Sequence, residues 1–250
     1  MTTCSLNVEF DMIDSSRNAF LKSKKNGLTS GLQNKILKSS YFSRLYAQTV
    51  ISGRWEIAEI TISGRSFDAY HYANSCLKGT RVPCIESAIA KSPEYSYMYL
   101  KNCQIVGDVS ELEESISHDA QASYLYATEV LHSRFILGEM TILKVPRLAQ
   151  LYAQKIIVGR WFDAEQVIKT DVFLAVDYAK DVIHGEWKDI EDDILNYPCL
   201  LLTYIIDVKK QRWIEAEDSL LTDKRCKELY LAFAKDNFSS QDYAELLLKI

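Results

Sequence analysis

Seven glutamates recur at a near-constant interval along this chain: Glu59, Glu86, Glu113, Glu139, Glu165, Glu191 and Glu217. A carboxyl group can serve as general acid or base when its surroundings shift its protonation. A reaction needs such a group once, not seven times in fixed register. The spacing instead suits pairing with the turn arginines of the same or the next copy (Arg54, Arg134, Arg160, Arg212). Acceptance of a bond from a tyrosine hydroxyl would serve equally. Glu186 stands in the arginine place of one copy, so the partner is expected to change there. Other reactive side chains are scattered. His71, His118, His132 and His184 form no HExxH and no pair on one helix face. Cys4, Cys76, Cys84, Cys103, Cys199 and Cys226 show no CxxC and no metal-ligand spacing. They read as free thiols of a reducing compartment. His132 and His184 share one place near a helix end, where a cation suits the dipole. No GxxxxGKS or GxxxxGKT, no GxGxxG and no serine nucleophile motif occurs. No catalytic residue, metal or cofactor is expected.

The elements that position these glutamates follow from a repeat. A tyrosine falls at Tyr46, Tyr72, Tyr99, Tyr126, Tyr152, Tyr178, Tyr204 and Tyr230, at spacings of 26, 27, 27, 26, 26, 26 and 26 residues. The clearest copies read YAQTVISGRWEIAEITI, YAQKIIVGRWFDAEQVI and YAKDVIHGEWKDIEDDI. Trp55, Trp161, Trp187 and Trp213 stand nine residues after their tyrosines, and Phe135 replaces tryptophan in the Tyr126 copy. Around each tyrosine, apolar residues at offsets 0, +1, +4 and +5 make one stripe of an α-helix. A second helical phase runs from the tryptophan to the isoleucine at +16. Gly53, Gly79, Gly159 and Gly185 at +7 sit where a helix end calls for a left-handed residue. Each copy is thus expected to be a helix of roughly 12 residues, a turn, and a helix of roughly 8 to 10, neither stable alone in water. Neighbours must stack to share a core. The expectation is an all-α chain: an α-solenoid of about eight tandem 26-residue repeats. Residues 1–40 form a degenerate N-terminal cap, with Phe20, Gly27, Gln33 and Ile36 in place; residues 41–236 form the array, and 237–250 the C-terminal cap, in one continuous domain.

The unit Y-A-x-x-V-I-x-G-R-W-x-x-A-E-x-x-I, with Ser92-Pro93-Glu94-Tyr95 before one copy, resembles a short helical repeat of large tailed bacteriophages. The likeness covers residues 41 to about 235. That family has no common activity. The resemblance implies a phage-encoded accessory protein of the host cytoplasm that binds and inhibits a host protein, including one of anti-phage defence.

Two aromatic sets differ in phase. The tyrosine ladder is core, its hydroxyls free to reach polar partners. Tyr70, Tyr97 and Tyr124, two residues earlier in three successive copies, lie at the flank of the stripe. They either pack against a neighbouring helix or form an aromatic strip that anchors a protein partner. Charge narrows the partners. Residues 1–45 carry seven bases against three acids, and the remainder 22 against 31. A phosphate-tracking groove needs clustered cations, so nucleic-acid binding is disfavoured and mimicry of DNA by the acidic body is the alternative. No leader pattern opens the chain, and its longest apolar run, Cys199 to Ile206, is far short of a membrane span. The expected protein is a non-enzymatic cytoplasmic scaffold for a host protein, with homo-oligomers left open and an enzyme with an unfamiliar site as the lesser alternative.

Overall fold

A computed structural model describes the backbone of residues 3–250 and the side chains of residues 13–250, so Cys4 lies outside the described side chains. The described residues are 74% helix, with no strand among them. They divide into two compact units, Met1–Thr141 and Ile142–Ile250.

In the first unit the Tyr46 copy shows the local plan. Ser39 accepts a bond from the Phe42 amide at 3.4 Å and starts the helix Ser40–Tyr46. Five residues of π-helix, Ala47–Ile51, complete it, and Ser52 turns left-handed at φ 58°. The Ala47 carbonyl accepts from both the Ser52 and Gly53 amides, which satisfies donors that the turn would otherwise strand. A 3-10 turn, Glu56–Ala58, then runs into the helix Glu59–Ile62. The Tyr72 and Tyr126 copies repeat the plan, with π segments Ala73–Leu77 and Ala127–Leu131. The Tyr99 copy departs from it. Its helix Pro93–Asn102 has no π segment, and Gln104 is the left-handed residue. In the second unit the helices Pro146–Tyr152, Val172–Tyr178 and Pro198–Tyr204 each end in a π segment.

The left-handed residue is not the glycine at +7. It stands one place earlier, at Ser52, Lys78, His132, Val158, His184 and Lys210. Of the four glycines only Gly79 has positive φ, and a Cβ on Gly53, Gly159 or Gly185 would meet nothing. The π segment changes the phase of the last turn, which moves the reversal off the glycine. Some second helices are also shorter than expected, with seven residues in Pro83–Ile89 and Phe162–Ile168, whereas Ser110–Ser117 and Ile214–Thr222 have the expected eight and nine.

Packing explains why so short a hairpin holds. In the copies that carry one, the tryptophan meets the ladder tyrosine across the turn, with ring centroids 5.0 Å apart for Tyr46–Trp55, 5.1 Å for Tyr152–Trp161 and 5.3 Å for Tyr178–Trp187. Phe135 does the same for Tyr126 at 5.0 Å. Tyr72, Tyr99, Tyr152, Tyr178, Tyr204 and Tyr230 are fully buried, as are Ile62, Ile89 and Ile116 at the ends of second helices. In each unit the first helix of a copy packs on the first helix of the next. At the N-terminal end the helix Thr3–Asn26 is 24 residues long, twice the expected length, and Gly27 reverses it at φ 86°. Phe20 and Ile36 are buried, and Phe20 meets the edge of Tyr46 at 6.4 Å. Near the other end Lys224–Asn237 and Ser240–Leu247 close the second unit. No described helix is long and apolar enough to cross a membrane.

Candidate functional site

The recurrent glutamates sit in one repeated network. Arg54 grips Glu59 with two bonds of 2.8 and 3.3 Å, and Tyr72 of the next copy donates its hydroxyl to the same carboxylate at 3.2 Å. That hydroxyl in turn accepts the buried Trp55 amide at 2.7 Å. Arginine–glutamate forks recur at Arg134–Glu139, Arg160–Glu165 and Arg212–Glu217. The pair Arg81–Glu86 belongs to the same set, although the inserted residue in its copy hides Arg81 from a fixed-offset reading. Tyr99 donates to Glu86 at 2.8 Å and Tyr126 to Glu113 at 2.7 Å. In the second unit Tyr178 and Tyr204 accept the Trp161 and Trp187 amides, each at 2.7 Å. Glu186 cannot grip Glu191, and Lys209 of the next copy takes the arginine's part at 2.7 Å.

Burial, with the adjoining carboxylates, pushes the Tyr72, Tyr99, Tyr126 and Tyr204 hydroxyls well above their ordinary value of 10. They are permanent donors at neutral pH. The network therefore spends its polar groups on joining one copy to the next. His132 and His184, exposed and left-handed, place Nδ1 2.9 Å from the carbonyls of Thr128 and Lys180. Cys199 and Cys226 bring their sulfurs to 3.4 Å, but burial first, with Cys199 and Asp223 beside it, pushes the Cys226 thiol up to about 12. Such a thiol is a poor nucleophile at neutral pH. No group of three His, Cys, Asp or Glu able to hold a metal occurs among the described residues.

The aromatic strip is not a strip on the surface. Tyr70, Tyr97 and Tyr124 are 3, 7 and 7% exposed, and for Tyr70 and Tyr97 the cover is the neighbouring first helix. What each meets there differs. Residue −2 of one copy, counted from the ladder tyrosine, faces residue −4 of the next. Arg44 meets the fully buried Asp68 in a 2.8 Å ion pair. Tyr70 stacks on Tyr95, with centroids 5.6 Å apart and planes 21° off parallel, and takes a bond from Asn102 at 2.9 Å. Tyr97 has only Ala122 in the corresponding place.

The small residue leaves a groove of about 540 Å³ between the helices Pro93–Asn102 and Ala120–Tyr126. Tyr97, Met98, Ala122 and Leu125 supply its apolar walls. Glu94 and Asp119, both exposed, and Lys101 supply its charges. The Tyr97 hydroxyl donates to Glu129 of the next copy, and Lys101 pairs with the same carboxylate at 2.5 Å. These two bonds hold the Glu129 carboxyl below its usual value, and it stays an anion at neutral pH. Two further clefts of the first unit have similar volumes, about 550 and 520 Å³: the one at Asn74, Lys78 and Gln104 exposes mainly polar surface, and the one at Ala90, Lys91, Pro93 and His118 mainly apolar surface. The groove at Tyr97 is the candidate site, in a chain to which no protein-family model, curated protein or solved structure shows a match.

Proposed function

We propose that this chain is a non-enzymatic α-solenoid of about eight 26-residue repeats that works as a protein-interaction scaffold. Its site is the groove beside Tyr97. The observation that carries this reading is an apolar recess with a charged rim, in a framework whose recurrent acids and hydroxyls are already taken by internal bonds. Chemistry on a small substrate calls for an uncommitted acid, base or nucleophile in a recess. This groove offers walls for packing and a rim for orientation, the anatomy of a docking surface. The likeness of the repeat to those of large tailed phages supports a host bacterial protein as the partner and the host cytoplasm as the place of action. It also makes inhibition of a host or defence factor the favoured outcome. The tagged chain, passed through bacterial lysate with and without the rim variant Gln121→Phe, tests the proposal. A stoichiometric protein retained by the parent and lost by the variant supports it. Equal recovery by both, or a nucleic acid in place of a protein, rejects it.

A further inference from the structure

We infer that Cys199 and Cys226 are an oxidation site: a peroxide converts the pair to a disulfide that fastens one copy of the repeat to the next, and a thiol reductant releases it. The inference stands apart from the groove and from the scaffold reading.

The argument starts from register. Residue −5 of one copy, counted from the ladder tyrosine, lies beside residue −4 of the next, as Phe67 and Tyr95 do with ring centroids 6.0 Å apart. One such pair of places holds cysteine on both sides, Cys199 and Cys226, and there the two sulfurs lie 3.4 Å apart. A disulfide holds its sulfurs about 2.05 Å apart, so bonding asks for a movement of about 1.4 Å. Both backbones are fixed. Pro198 opens the helix Pro198–Tyr204 just before Cys199, and Asp223 caps the helix Lys224–Asn237 by accepting the Cys226 amide at 2.8 Å. These two first helices pack on each other. The thiols are therefore held together before any reaction begins.

Access sets the order of events. Cys199 is the one exposed thiol among the described residues, and Cys226 is buried beneath it. Burial, with Cys199 and Asp223 beside it, also keeps Cys226 protonated at neutral pH. Cys199 therefore reacts first. Its thiolate attacks one oxygen of hydrogen peroxide, the O–O bond breaks, and the hydroxide released takes the thiol's proton to become water. The sulfur is oxidised to a sulfenic acid and the peroxide is reduced. The Cys226 sulfur then attacks the Cys199 sulfur. The S–O bond breaks, and the departing hydroxide takes the Cys226 proton. Two thiols and one peroxide thus give one disulfide and two waters. Cys76 and Cys103 are also 27 residues apart, but both are buried, away from an oxidant in solution. Under reducing conditions the pair rests as thiols, so the bond forms only when oxidant rises.

The test treats the full chain with a small excess of hydrogen peroxide, then with dithiothreitol, and follows it by non-reducing peptide mapping and hydrogen exchange. The expected result is a linked peptide joining Cys199 to Cys226, lighter by two hydrogens than its parts and parted again by dithiothreitol. Amides of Lys224–Asn237 should exchange about tenfold or more slowly in the oxidised chain. In Cys199→Ser both the link and the slowing should be lost, and Cys226 should stay a thiol. In Cys226→Ala, Cys199 should stop at the sulfenic acid and be captured by dimedone. The exposed change Cys199→Ser keeps the test decisive if the buried one disturbs folding. Three results would overturn the inference: Cys199 left as a thiol, Cys199 carried to sulfinic acid without the link, or exchange unaltered once the link has formed.

Discussion

Replacing Tyr72 by phenylalanine tests the network that joins one copy to the next. The ring and its packing stay, and only the hydroxyl goes. In the native chain that oxygen accepts the buried Trp55 amide at 2.7 Å and donates to Glu59 at 3.2 Å. A buried amide left without an acceptor costs about 1–3 kcal/mol. Loss of a bond to a carboxylate costs about 1.5–3 kcal/mol when nothing compensates. Glu59 keeps its fork with Arg54, so the second loss is expected at the low end. Together these give a destabilisation of about 2–4 kcal/mol. The effect is local as well as global, because Trp55 starts the 3-10 turn Glu56–Ala58. Hydrogen exchange at the Trp55 amide should speed up by about one to two orders of magnitude, and urea unfolding of the first unit should shift to lower concentration. Tyr99→Phe, which removes a donor to Glu86, should cost less. Trp55 exchange at the native rate, with stability within about 0.5 kcal/mol of the parent, would refute the reasoning.

Three further perturbations follow from the same geometry. Val158 is left-handed at φ 55° and 77% exposed, so a β-branched residue bears strain there without packing in return; Val158→Asn should raise the stability of the second unit by about 0.5–1 kcal/mol, read by thermal melting. Gly138 replaces the small alanine of other copies, and a Cβ there would lie 2.5 Å from the Ser123 oxygen and 2.6 Å from its Cβ; Gly138→Ala should destabilise by about 1–3 kcal/mol in urea unfolding, and a neutral effect would mean that the two helices can part freely. For Glu217, burial raises the carboxyl, but bonds from Arg212 and Lys249 outweigh it and hold it below its ordinary 4.5. Its contribution is therefore present above the unfolded-state value and lost as pH falls through the folded one; Glu217→Gln should flatten the acid limb of the second unit's stability profile, and identical limbs would count against it.

What could be read in advance was whatever every copy shares. The tyrosine register, the aromatic pair across the turn and the +8/+13 arginine–glutamate spacing all reflect one packing solution used repeatedly, and repetition makes it visible. The π segments were hidden, because apolar residues at 0, +1, +4 and +5 suit an α- or a π-wound last turn. The left-handed place was misassigned to glycine for the same reason, and Val158 shows that this backbone overrides residue preference. Features that depend on two neighbouring copies differing were harder still. Tyr70, Tyr97 and Tyr124 look equivalent in register, yet one is stacked on a ring and the next faces a groove. The signal was the residue four before the ladder tyrosine, Tyr95 in one copy and Ala122 in the next. It gains meaning only once −2 is known to face −4.

The most direct measurement of the central claim is site-specific crosslinking in bacterial lysate. A diazirine side chain would replace Ser92, which lines the groove, or Gln166, an exposed position on the second-unit helix Phe162–Ile168. The account predicts one protein adduct at residue 92, lost when Ala122→Tyr is combined with the probe, and none at residue 166. Adducts of equal strength at both places, or an adduct at 92 that survives Ala122→Tyr, would contradict it.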